Sequence, residues 1–202
     1  MDFLIPVLAV LGMAVYVLKT QQQKQRIALL AKYLSRFEIE GLMEGLIGGY
    51  LRALSEAQPG RQAQVLAHLN PKEDKLNQQF AQFAKDFHEV WADDALISTL
   101  PVAFPWAHKL FPVATFDARR AMLIHAQGIE RSVASQDNAK DRAFTLTAEL
   151  LLIQHTCHWF CRSRAVASAR LQARHQTSHA QVLAAVSAQT RADYLKLVGA
   201  MH

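Results

Sequence analysis

Phe3-Leu4-Ile5-Pro6-Val7-Leu8-Ala9-Val10-Leu11-Gly12-Met13-Ala14-Val15-Tyr16-Val17-Leu18 is an uninterrupted apolar run that carries no charge and is followed at once by Lys19. As a helix it would span about 24 Å at 1.5 Å per residue. A hydrocarbon core is about 30 Å thick, and Met1 with a snorkelling Lys19 can make up part of the difference. A cleaved secretory signal would carry positive charge before the run and a small-x-small site after it. Here Asp2 precedes it and Lys-Thr-Gln follows, so the run is expected to be an uncleaved membrane anchor. Lys19, Lys24, Arg26, Lys32 and Arg36 come next, with no acid before Glu38. By the positive-inside rule the chain beyond residue 18 is then cytoplasmic and the N-terminus outside. The same basic stretch can lie against anionic lipid. The expected location is the inner membrane of a bacterial-type cell, crossed once.

Working outward, the second apolar stretch, Ala143 to Cys161, holds one charge, Glu149, but also Gln154, His155 and His158, and it runs into Arg162 and Arg164. A span here would carry those arginines outside, against the charge rule. It therefore reads as the most buried helix of the domain beyond the anchor. Half of the 202 residues are hydrophobic and β-branched residues are sparse and unpatterned, so the fold class is all-α. The boundaries follow as an anchor at 1–20, a basic juxtamembrane helix at 21–37 and a helical domain at 38–202, with about five to seven helices. Charge is uneven: +4 over residues 1–37, −5 over 38–97 and +6 over 98–202. The net charge of +5 thus describes two basic ends around an acidic middle, which weakens any inference to nucleic acid.

Helical spacing of Ile27, Leu30, Leu34 and Phe37 continues the first helix without a breaker. Gly41, Gly45 and Gly49, with Ala53, recur every fourth residue as one smooth stripe. Each glycine costs a helix about 1 kcal/mol against alanine, so the stripe implies close approach of another backbone, either within the domain or in a second copy. Asn70-Pro71-Lys72-Glu73 reads as a fresh helix start after a short helix from Pro59-Gly60, opening a stripe of Leu76, Phe80, Phe83, Phe87 and Val90. Residues 99–116 hold three prolines and the aromatics Phe104, Trp106, Phe111 and Phe116, which excludes a continuous helix. So apolar an irregular segment requires cover, from its own domain, a bilayer or a partner. Asp117 or Thr115 is placed to cap a helix through Val133, a long central helix is expected from Lys140 to Arg174, and Ser178 to Gln181 is a capping box opening the last helix, to Gly199.

His155, Cys157, His158 and Cys161 are the one cluster whose residue types suit a soft metal or haem. On a helix they spread over 160°, so one ion takes two or three of them and needs further ligands from another helix. The C-x₂-C spacing of structural zinc sites and the c-type haem signature are both missing. Two cysteines four residues apart are no disulfide framework, which fits a reducing cytoplasm. Ala92 stands where a zincin helix needs its second histidine, no carboxylate lies three residues before any histidine, and no phosphate-binding glycine loop, nucleophile elbow or dinucleotide fingerprint occurs. Nothing here argues for an enzyme, and no cofactor is called for. The leading expectation is a membrane-anchored helical protein acting through protein contact as scaffold, tether or accessory subunit, with Gly41, Gly45, Gly49, Phe104, Trp106 and Phe111 as contact residues. A metal or haem at the His/Cys cluster is the alternative. A third is anionic lipid or nucleic acid bound by the arginine-rich stretch after Glu149.

Overall fold

The computed structural model describes residues 4–199, with side chains described from Pro6 onward. The chain is all-α, with a minimal two-stranded ladder as the one exception among the described residues. Helix α1 (Leu4–Leu34) is continuous, as the absence of a breaker predicts. It is followed by α2 (Ile39–Ser55), α3 (Pro59–His88) and the short α4 (Ala92–Ala95). Strand β1 (Leu96–Ser98) pairs antiparallel with β2 (Thr115–Asp117), in the register Ile97 to Phe116, and the segment between them contains only α5 (Ala107–Leu110) and a 3₁₀ turn at Pro112–Ala114. Then come α6 (Ala118–Ala134), α7 (Ala139–Cys161), α8 (Arg164–His175), α9 (His179–Ala185) and α10 (Ala188–Leu197).

Helix α7 is the centre. It packs against α1, α2, α3, α6, α8 and α9, and its buried residues lie on every face, so it has no amphipathic stripe. The aromatic stripe of α3 is consumed inside the fold. Phe87 meets Tyr33 edge-on at 5.6 Å and Phe160 at 6.0 Å, while Phe83 meets Phe37 at 6.4 Å and Phe80 at 5.4 Å. Glu73 is buried beside them, accepting from the Tyr50 hydroxyl at 2.6 Å and facing Arg142 at 3.5 Å, which ties α2, α3 and α7 together.

Three boundaries differ from the sequence expectation, each for a local reason. Pro71 lies inside α3 and opens no new helix: the Asn70 side-chain oxygen accepts from the Arg142 guanidinium at 2.9 Å, where a cap would accept from an N–H of the next turn. The expected long helix to Arg174 breaks after Cys161, because Ser163 leaves the helical conformation and caps α8 by accepting from the Val166 N–H. The last helix has the expected capping box at Ser178, but a second serine cap at Ser187 divides it into α9 and α10. Asp117 caps α6 as expected, accepting from the Arg119 N–H at 2.8 Å.

A buried polar layer joins α6, α7, α9 and α10. Thr156 donates to the Leu152 carbonyl, so its oxygen is left to accept from the Tyr194 hydroxyl (3.1 Å) and from His125 Nε2–H (2.9 Å). That places the neutral His125 proton on Nε2. Glu149 accepts from the Ser187 N–H at 3.1 Å, and its other oxygen sits over Gly128, where a Cβ would lie 2.5 Å from it. Burial pushes the Glu149 carboxyl above its usual range.

Burial also pulls His125 and His155 down to about 3 and His179 to about 4. Between pH 6.5 and 4 the unfolded chain therefore binds protons on these imidazoles that the folded chain refuses, and stability falls with pH. Each unit of depression is worth about 1.4 kcal/mol, and Glu149, whose pKa moves the other way, offsets part of it. Chemical denaturation across this pH range should show the decline, with a shallower slope in His125→Asn. A second prediction separates the glycines. Gly128→Ala should destabilise by about 1–3 kcal/mol through the clash with Glu149, whereas Gly41→Ala, where nothing lies within 4 Å of an added Cβ, should stabilise by up to about 1 kcal/mol in thermal melts.

Candidate functional site

The most unusual surface begins on α1. Every side chain from Pro6 to Val17 is exposed, with Val10 at 68% and Tyr16 at 63%, so the first turns form an apolar arm that touches nothing else in the chain. The expected anchor covers residues 1–20, of which 1–3 lie outside the described residues. Among the described residues no helix is long and apolar enough to cross a membrane.

The arm is held at its root by Arg26. Its guanidinium donates to the Leu96 carbonyl at 2.6 Å and to the Phe160 carbonyl at 3.1 Å, and it stacks over the Phe160 ring at 5.4 Å. One side chain thereby ties α1 to β1 and to the C-terminal turn of α7. Burial lowers the Arg26 pKa, with Asp94 acting against it, yet two carbonyl acceptors suit a planar cation. Counting Arg26 among the lipid-facing cations of residues 19–36 is therefore corrected: it turns into the protein.

Beside that root lies the segment between the two strands. The Trp106 N–H donates to Gln22 Oε1 at 3.3 Å, Arg162 donates to Gln23 Oε1 at 2.8 Å, and the Ala165 N–H donates to the Pro101 carbonyl at 3.0 Å. Lys19, Gln22, Val102, Phe104 and Trp159 border one small depression at this junction. Trp159 secures it from below, donating to the Ser98 carbonyl at 2.8 Å and packing edge-on against Phe116 at 5.0 Å. Above this footing the expected contact residues Phe104, Trp106 and Phe111 are all exposed, together with Val102, Leu110 and Val113. Trp106 adopts a left-handed backbone, φ 52°, which for a bulky side chain costs about 1–3 kcal/mol.

A second feature lies on the far part of the same helix. Ile27, Leu30, Ala31 and Leu34 of α1, Ile39 and Met43 of α2, Phe80 and Phe83 of α3, and Ile153 of α7 line an open groove of about 510 Å³. Its rim carries Arg162, Arg170 and Arg174 on one side and Glu40 and Glu44 on the other. Arg174 reaches Glu44 at 2.8 Å, one ion pair between the basic tail and the acidic middle. Among the described residues Arg162 and Arg170 have no carboxylate partner; Arg170 faces His158 Nδ1 at 3.2 Å.

The His/Cys cluster divides between surfaces. Cys157, His158 and Cys161 border the groove, whereas His155 is buried toward α8 and α9, stacked on His179 at 4.0 Å and paired with Ser168 at 3.1 Å. Among the described residues no three His, Cys, Asp or Glu side chains are grouped as a metal site. Burial raises the Cys157 thiol well above its ordinary range and the Cys161 thiol to about 11, so both are neutral at pH 7. The glycine stripe is likewise split. Gly49 is pressed against Leu69 of α3, where an added Cβ would meet the side chain at 2.9 Å, Gly45 stands 3.7 Å from Lys72 Nζ, and Gly41 faces open space.

The residues that sequence reasoning missed are Arg26 and Gln22. Their signal was a polar interruption, Gln21 to Gln25, on a helix otherwise apolar toward the domain. Arg26→Ala leaves two carbonyls of the root without a donor and should cost about 2–4 kcal/mol in thermal unfolding. Arg26→Lys, which lacks the planar fork, should recover less than half of the loss. No protein-family model matches this chain, and no curated protein and no solved structure matches it either.

Proposed function

We propose that the chain is a membrane-anchored helical protein that works by protein contact, with the α1 arm inserted in the bilayer and the domain on the cytoplasmic face. The observation that carries this reading is the arm itself, an apolar helix exposed from Pro6 to Val17 and rigidly continuous with a helix packed into the core. Water around so large a patch is unfavourable at about 25 cal/mol per Å², and lipid is the environment that relieves it all around the helix. The lysines that follow, Lys19 and Lys24, agree with a cytoplasmic root.

The partner surface in this reading is the groove between α1, α2, α3, α7 and α8. Its apolar floor and the two guanidiniums on its rim that have no carboxylate partner among the described residues favour an amphipathic helix that presents aliphatic residues downward and acidic residues toward Arg162 and Arg170. In this reading Phe80 and Phe83 of the α3 stripe contribute to the groove floor, while Gly49 of the glycine stripe is already packed against Leu69.

A photo-crosslinker at Ala31, which borders the groove, should yield one discrete protein adduct in native membranes, and the same group at the exposed Gln78 should not. Arg170→Glu should lower the yield by about tenfold, the effect of some 1.4 kcal/mol of reversed charge. The protein should also pellet with membranes after alkaline extraction. Recovery in the supernatant would sink the anchor, and an adduct unaffected by Arg170→Glu would sink the groove.

A further inference from the structure

We infer that the segment between β1 and β2 is a second, non-spanning membrane contact: Val102, Phe104 and Trp106, with Leu110, Phe111 and Val113 beside them, seat in the headgroup region of an anionic bilayer around the root of the arm. This rests on the anchor reading above and adds to it a site, a depth and a lipid chemistry.

Depth comes from helix geometry. Gln22 lies four residues past Leu18, about 6 Å further along the axis. The interfacial layer on each side of a hydrocarbon core is about 5–7 Å deep. Trp106 is bonded to Gln22, so when the apolar run ends at the edge of the hydrocarbon, Trp106 stands within that layer. Indole is the side chain best suited to it, with an apolar body and one N–H donor.

A short arm strengthens the argument. Leu4 to Leu18 spans about 22 Å as a helix, less than the core it has to match. Mismatch of this sign draws flanking residues toward the bilayer, and the flank here is the exposed apolar segment. Packing within the domain, one of the covers expected for residues 99–116, fully buries Pro105, Ala107 and Phe116 and leaves the larger apolar side chains of the segment outside. Val102 remains 64% exposed and Trp106 47%.

Charge selects the lipid. Lys19, Lys24, Lys109 and Arg162 surround the same root, and each basic side chain near an anionic surface is worth about 1 kcal/mol. Asp93 and Asp94 border the same depression as Gln22, Trp106 and Lys109, so the basic side chains outnumber the acids at the root by four to two.

The test uses the full chain in nanodiscs of phosphatidylcholine and phosphatidylglycerol with brominated acyl chains. Trp91→Phe removes the freely exposed indole (84%) and leaves Trp106 with the buried Trp159. Bromine near the carbonyls should quench the Trp106 emission by about half, more than bromine at mid-chain does, and the double variant lacking Trp106 should lose that component. Val102→Trp in the doubly substituted background gives a second reporter that keeps the test alive if Trp106→Phe perturbs the loop. Met13→Trp in the same background reports the arm and should respond most to deep bromine. An arm that is quenched beside an unquenched Trp106 and Val102→Trp overturns this inference and leaves the anchor standing. Silence at all three positions overturns both. Quenching that is equal in neutral and anionic discs overturns the charge component.

Discussion

Arg26 is the constraint on which the remaining arrangement depends. A guanidinium held between the carbonyls of Leu96 and Phe160 fixes three elements that are far apart in sequence, and it does so at the point where α1 changes from packed helix to free arm. Desolvating a cation is costly, and the cost is offset only when its donors find acceptors of matching geometry. The C-terminal turn of α7 supplies one such acceptor, a carbonyl near the end of its helix. With Arg26 in place the direction of the arm is set by the core and not by a hinge. The 99–114 segment can then stand at a defined level along that arm.

A different economy governs the opposite side of α7. There the core is polar: the Thr156 hydroxyl bonds His125 and Tyr194, and Ser187 donates its N–H to Glu149 and its hydroxyl to Thr190. Gly128 exists to leave room for the Glu149 carboxyl, and Ser187 caps α10 while presenting its N–H to the same group. Such a layer specifies which helices meet more sharply than apolar packing does, since every misplacement leaves a buried polar atom unpaired. It also makes the domain dependent on neutral histidines. None of it opens to the groove, so it is architecture.

The Asp117 cap and the Ser178 capping box were legible because each is written within four residues, and the helical class and the continuity of α1 because composition and the absence of a breaker carry them. Boundaries set by competition were not. Asn70-Pro71 has every mark of a helix start, but Arg142, from a helix 72 positions away, claims the Asn70 side chain and α3 runs through. Ser163 looked like one more residue in a long helix because its capping role depends on the chain turning back there. Composition alone singled out Phe104, Trp106 and Phe111, and the fold leaves all three exposed. The groove could not be read that way, for its lining is drawn from five helices, and Arg162 and Arg170 stand out only by having no carboxylate neighbour among the described residues.

The arm and the groove share one helix, and that sharing has a mechanical meaning. Ile27 and Leu34 face the groove from positions about 14 and 24 Å beyond Leu18 on a helix without a break. Whatever occupies the groove therefore lies along α1 at a fixed height below the apolar run. Closest to the root, the rim is formed by Arg162, which is bonded to Gln23 on the same helix. A ligand that competes for Arg162 would loosen a bond at the root, and a bilayer that seats the 99–114 segment would tighten the Pro101 contact to the start of α8, two residues past Ser163. Both surfaces thus converge on the break between α7 and α8, the place where an otherwise featureless central helix was interrupted by a single serine.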